Sequence, residues 1–162
     1  MPIYTYPLIY AICILIGFLN YRKFSHNIYL KFFLYFLIYT FFSEVIGSYL
    51  GLYLKVNNNF VYNTWPIVNF LFLSILFLTK IESKKKRLII KFLIISFSII
   101  TLINVLFFSN YIDHLLLNNG ILAKFLVVLL VIIYFLEILE SDKVINIKNS
   151  MFFWIGLGVF LY

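Results

Sequence analysis

Between Lys31 and Lys55 lie 23 residues that carry a single charge, Glu44. A helix needs about 20 apolar residues to cross roughly 30 Å of hydrocarbon, so this run by itself predicts a membrane span. Similar runs occupy residues 4–19, 61–79, 88–108 and 120–139. A further one, "SMFFWIGLGVFLY", fills 150–162. Its thirteen residues reach only about 20 Å at 1.5 Å per residue. The expectation is an all-α, polytopic transmembrane helix bundle with five full spans and a short or truncated sixth. Truncation after Tyr162 is the favoured reading, because a span usually closes with a polar residue at the far interface. The gaps are too short to fold alone, so residues 1–162 are expected to form a single transmembrane domain.

Composition agrees. Hydrophobic residues make up 64% of the chain and charged ones 12%, against about 25% charged in a soluble domain. Lipid is the only solvent that suits such a chain. A net charge of +7 would suggest nucleic acid in a soluble protein. Here the basic residues fall in the gaps between apolar runs, so no nucleic-acid partner is expected. Cys13, the single cysteine, lies inside the first run and reads as a small apolar side chain.

The same gaps set the orientation. Arg22, Lys23 and Lys31 follow the first run. Lys80, Lys84, Lys85, Lys86, Arg87 and Lys91 follow the third, and Lys143 and Lys148 the fifth. Only Lys55 and Lys124 fall on the other side. Cytoplasmic loops collect Lys and Arg. The expectation is therefore an inner-membrane protein with its N-terminus outside and loops 20–31, 80–87 and 140–149 cytoplasmic. The first run lacks the basic leading segment of a cleaved signal and has its positive charge on the far side, so it reads as a retained helix. Tyr53, Tyr62, Trp65 and Tyr111 fall near the outer interface and Tyr21, Tyr29 and Trp154 near the inner one, depths that amphipathic rings prefer.

Glu44 is the feature closest to chemistry. It is centrally placed in its run, where a charge costs about 2.5–3.5 kcal/mol on insertion scales. Thr40, Glu44, Gly47, Ser48 and Gly51 share one helical face, a polar stripe of small residues that is expected to face protein. Gly47 and Gly51 form a small-x-x-x-small pair suited to close helix packing, and a second copy or another membrane protein is a candidate partner there. Asn69, Asn104 and Lys124 are the candidate polar partners of Glu44. Asn63 is expected at the interface, and Glu137 near enough to headgroups to reach water. The run Lys84, Lys85, Lys86 and Arg87 reads as a topology determinant and as a patch for anionic lipid headgroups, at roughly 1 kcal/mol per basic residue near the surface.

No catalytic residues, metal ligands or cofactors are expected. His26 and His114 fall on opposite membrane faces, and the sequence contains no nucleophile elbow, paired carboxylates, H-E-x-x-H, C-x-x-C or phosphate loop. The segments "FFSEVIGSYLGLY", "VYNTWPIVNFLFLSILF" and "FFWIGLGVFLY" give the chain a layout that resembles small uncharacterised multi-pass membrane proteins of Bacteroidota, often with about seven spans. The resemblance implies no activity; it implies one or more further spans after Tyr162. The functional expectation is a non-enzymatic membrane protein acting through helix–helix interaction, such as the membrane part of a sensing or signalling assembly. The alternative is a small transporter or channel subunit that uses Glu44.

Overall fold

The computed structural model describes residues 5–24, 26–108, 110–140 and 151–161, and contains no strand among them. The order is α1 (Thr5–Leu19), the short α2 (Tyr21–Phe24), α3 (Ile28–Leu52), α4 (Asn59–Leu78), α5 (Lys84–Ile103), α6 (Leu117–Leu139) and α7 (Met151–Leu161). α5 runs directly into a π-helical turn, Asn104–Phe108. Four helices are long and apolar enough to cross a membrane: α3, α4, α5 with its π turn, and α6. The first apolar run yields the 15 residues of α1 and the last yields the 11 of α7. Among the described residues four helices thus have a spanning length and composition, where the sequence suggests five full spans. The expected cytoplasmic positions 141–149, with Lys143 and Lys148, lie outside the described residues.

Local chemistry sets the helix ends. Asn20 closes α1, donating from both its backbone N–H and its side-chain amide to the Ile16 carbonyl. Asn27 opens α3: its backbone is extended and its side-chain oxygen accepts the Tyr29 N–H at 3.1 Å, the usual N-cap bond. α3 stops in a wide turn in which the Leu54 N–H reaches back to the Tyr49 carbonyl and the Val56 N–H to the Leu50 carbonyl. Lys55 takes the left-handed position there, with φ 53°, although glycine is the residue that does so without strain.

α4 starts earlier than its apolar run. The Asn57 side chain accepts the Asn59 N–H, and the Asn58 carbonyl accepts from Val61 and Tyr62. Pro66 is therefore the eighth residue of α4, deeper than a start at residue 61 would place it. At that interior position the Tyr62 carbonyl loses the donor it would have four residues on.

Contacts divide the chain into two compact units, Met1–Trp65 with Tyr111–Leu115, and Pro66–Asn110 with Leu116–Tyr162. In the first, α1 packs on α3. Gly17 makes the approach tight: a Cβ placed there would lie 2.7 Å from a methyl of the buried Leu34. In the second unit, Phe70 meets Phe97 edge-on at 4.6 Å and Phe77 lies against Tyr134 at 4.9 Å. α6 turns Ala123, Leu126, Val127, Leu130, Val131 and Tyr134 inward, a helical-period stripe. α7 packs on α6, with Phe153 against Phe135 and Gly156 admitting the Phe135 ring. Outside these contacts, Phe32, Phe42, Ile75, Phe92, Leu102 and Ile121 are exposed, as lipid-solvated side chains would be. Lipid tails are as apolar as these residues, so helix association rests on close packing and polar bonds rather than on water exclusion.

Candidate functional site

α3 presents the polar stripe as a distinct face. Thr40 and Gly47 are buried and Glu44, Ser48 and Gly51 half-buried, while Phe42, Val45, Ile46 and Tyr49 are exposed. The Thr40 hydroxyl donates to the Phe36 carbonyl at 2.9 Å. The glycine end of the stripe is filled by the same chain. A Cβ at Gly47 would come 3.0 Å from the Tyr62 ring and hydroxyl, and one at Gly51 would come 2.6 Å from the Asn58 amide nitrogen. That amide donates to the Gly47 carbonyl at 2.7 Å. Glu44 is eight residues from the Leu52 end of α3, about 12 Å at 1.5 Å per residue. It thus lies one turn from Thr40, the middle residue of the helix, toward that end. Among the described residues it has no hydrogen-bond or ion-pair partner.

The residues expected as polar partners of Glu44 all belong to the second unit. Asn104, at the start of the π turn, donates from its side-chain amide to the Asn119 side-chain oxygen at 2.8 Å. Asn119 is buried, and its own amide nitrogen has no partner among the described residues; nor does the buried hydroxyl of Thr101, one turn before Asn104. Asn69 is half-buried on α4 and Lys124 is exposed on α6.

Two polar clusters were not foreseen from the sequence. The first belongs to the asparagines around the start of α4. Asn63 is buried, and its amide nitrogen donates to the carbonyls of both Tyr111 and His114, each at 2.8 Å. Asn59 and Asn57 both donate to the Asp113 carbonyl, and the Thr64 hydroxyl meets that of Tyr111 at 2.6 Å. These bonds hold the turn at 111–115 against the first turns of α4. The signal available in the sequence is the spacing Asn57, Asn59, Asn63 at a helix start.

The second cluster lies at the other end of the helices. One oxygen of Glu137, on α6, accepts the N–H groups of Glu82 and Ser83 at 2.8 and 2.9 Å. It thereby caps α5, whose own N-cap residue, Ser83, makes no side-chain cap bond. The other oxygen pairs with Lys86 at 3.1 Å, and Lys86 also reaches Glu140 at 2.6 Å. Lys86, one of the expected headgroup residues, has a side chain that is 15% exposed and turned to two carboxylates. Lys84, Lys85 and Arg87 remain exposed. The Glu137 side chain is 14% exposed. Nearby, the Lys80 ammonium lies 4.1 Å from the centre of the Phe152 ring, a cation–π contact.

Among the described residues, no group of three or more His, Cys, Asp or Glu side chains gathers in a way that could hold a metal. Compared with family models, curated proteins and solved structures, the chain matches none.

Proposed function

We propose that this is a non-enzymatic integral membrane protein that works through helix–helix interaction, in the manner of the membrane part of a sensing or signalling assembly. The observation that carries the reading is a contrast. Asn63, Asn104, Asn119 and Glu137 all bond within the chain, whereas Glu44 has no such bond among the described residues. An acid at membrane depth is costly and normally faces protein, water or a partner group. An acid that does not hold its own chain together is explained by a group supplied from outside. A helix of another protein molecule supplies it most simply, because Glu44 borders the exposed Val45 and Ile46 of α3. The second reading, a small transporter or channel subunit, rests on the same acid binding a proton or cation.

Reconstitution separates the two. Purified protein in vesicles is expected to remain associated on dilution into excess lipid, and to pass no protons or common cations after a pH jump. Flux in the native protein that Glu44→Gln abolishes would replace the interaction reading with the transport one.

The proposed orientation places the N-terminus outside the inner membrane, with 20–31, 80–87 and 140–149 in the cytoplasm. It is supported by the basic residues in those segments. In a Cys13→Ser background, Val56→Cys is expected to react with an impermeant maleimide on intact spheroplasts, and Lys85→Cys only after lysis. The reverse pattern would invert the topology.

A further inference from the structure

α5 and α6 are joined near both ends by polar bonds, and these fix their direction. Asn104, just past the end of α5, donates to Asn119 near the start of α6. The Ser83 N–H that opens α5 donates to Glu137 near the end of α6. The two helices are therefore antiparallel neighbours, and both lie in the second unit. One turn back along α5 from Asn104 comes Thr101; one turn on along α6 from Asn119 comes Ala123. The antiparallel pairing sets these two at one level. Residues three or four apart share a helical face, so Thr101 stands on the face that carries Asn104 to Asn119.

Two polar atoms in this layer are left over. The Asn119 amide nitrogen and the Thr101 hydroxyl have no hydrogen-bond partner among the described residues, although the residues are only 2% and 8% exposed. Thr40, Thr64, Ser74 and Ser98 all turn their hydroxyls back to the carbonyl four residues before, the common resort of a hydroxyl inside a helix. Thr101 does not take that bond. A buried amide or hydroxyl without a partner is costly, and internal water is the usual means of satisfying one that no protein atom reaches. Ala123, itself 2% exposed, has a short side chain that leaves room at the level of Thr101. The π turn also starts here, at Asn104, and single π turns recur at functional sites.

We infer that an enclosed water molecule joins the Asn119 amide to the Thr101 hydroxyl and completes the polar link between α5 and α6. Both atoms are closed off from the surface, so a lipid headgroup, a dissolved solute or a side chain of another molecule does not reach them. The water accepts an N–H of Asn119 and donates to the Thr101 oxygen. The site is internal to one chain and depends neither on Glu44 nor on the helix-interaction reading.

Water-edited solid-state NMR of the isotope-labelled protein in deuterated lipid tests the site. Transfer of magnetisation from water to the Asn119 side-chain nitrogen, assigned by its loss in Asn119→Leu, is expected to exceed that to the backbone nitrogens of Leu130 and Val131. Those two residues are 0% exposed in the same helix. Thr101→Val removes one partner of the water with little change of shape. The transfer is then expected to be lost, and Tm to fall by about 2–4 °C, the shift that one lost hydrogen bond gives in a chain of this size. Thr101→Ser keeps the hydroxyl and is expected to keep the transfer. Transfer to Asn119 no greater than to Leu130 and Val131 in the native protein would overturn the proposal, and that measurement needs no variant to fold. Transfer that survives Thr101→Val would also overturn it. So would an unchanged or raised Tm in that variant, because removing a hydroxyl that bonds nothing relieves a buried polar group rather than breaking a bond.

Discussion

Asn63→Asp is expected to destabilise the first unit by about 3 kcal/mol, more than Asn63→Ala. The native amide nitrogen donates to two backbone carbonyls, those of Tyr111 and His114, from a side chain that is 3% exposed. Alanine removes both bonds and leaves the carbonyls short of a donor, a loss of about 1–3 kcal/mol. Aspartate does worse, because a carboxylate accepts and does not donate. It would place negative charge against two carbonyl oxygens in a site closed to water. Thermal unfolding in detergent or nanodiscs measures the order. Proteolysis of the 110–116 segment should accelerate in the same sequence: native, then alanine, then aspartate. An aspartate variant as stable as the native protein would show that the amide does not hold this turn.

The second large effect is expected at Glu137. Glu137→Ala removes the acceptor of two N–H groups and one of the two carboxylates on Lys86. Loss of a helix cap costs about 0.5–2 kcal/mol, and loss of a bond to an enclosed charged group adds to it. The sum is about 2–3 kcal/mol. Glu137→Gln retains a carbonyl oxygen for the N–H groups and is expected to lose about half as much. Glu140→Ala removes only the pair whose carboxylate is 65% exposed, in the range where surface ion pairs contribute about 0–1 kcal/mol. Hydrogen exchange at the Glu82 and Ser83 amides reads the cap directly. It should quicken strongly in the alanine variant and little in Glu140→Ala. Equal effects at the two positions would assign the stabilisation to charge rather than to the cap.

These sites mark the boundary of what a sequence can disclose about such a chain. The long helices are legible because lipid imposes a length and a composition on each of them. Even so, their ends lie outside the apolar runs: α3 begins at Ile28, before Lys31, and α5 begins at Lys84, within the basic run. Charge at an interface does not stop a helix; capping bonds do, as at Asn27. The one-sidedness of the Thr40–Gly51 stripe was legible because it follows the helical period. The partners of Asn63 were not, because they are backbone carbonyls some 50 positions away, and a carbonyl has no residue type to betray it. Pro66 lies deeper in its helix than the apolar run alone would place it, for a related reason. The start of α4 is set by Asn57 and Asn58, and neither of them belongs to the apolar pattern. Glu137 and Lys86 each looked interfacial alone; their pairing depends on helix packing that periodicity within one element does not encode.

The bonds from Asn63 to the turn at 111–115 span 48 and 51 positions, and this separation has a meaning in time. Ribosomes add about 5–20 residues per second, so roughly 2–10 s pass between the synthesis of Asn63 and that of its acceptors. Through that interval α4 must enter the membrane with the Asn63 amide still held by water. The end of α4 that carries Asn63 can lock only when the turn at 111–115 arrives.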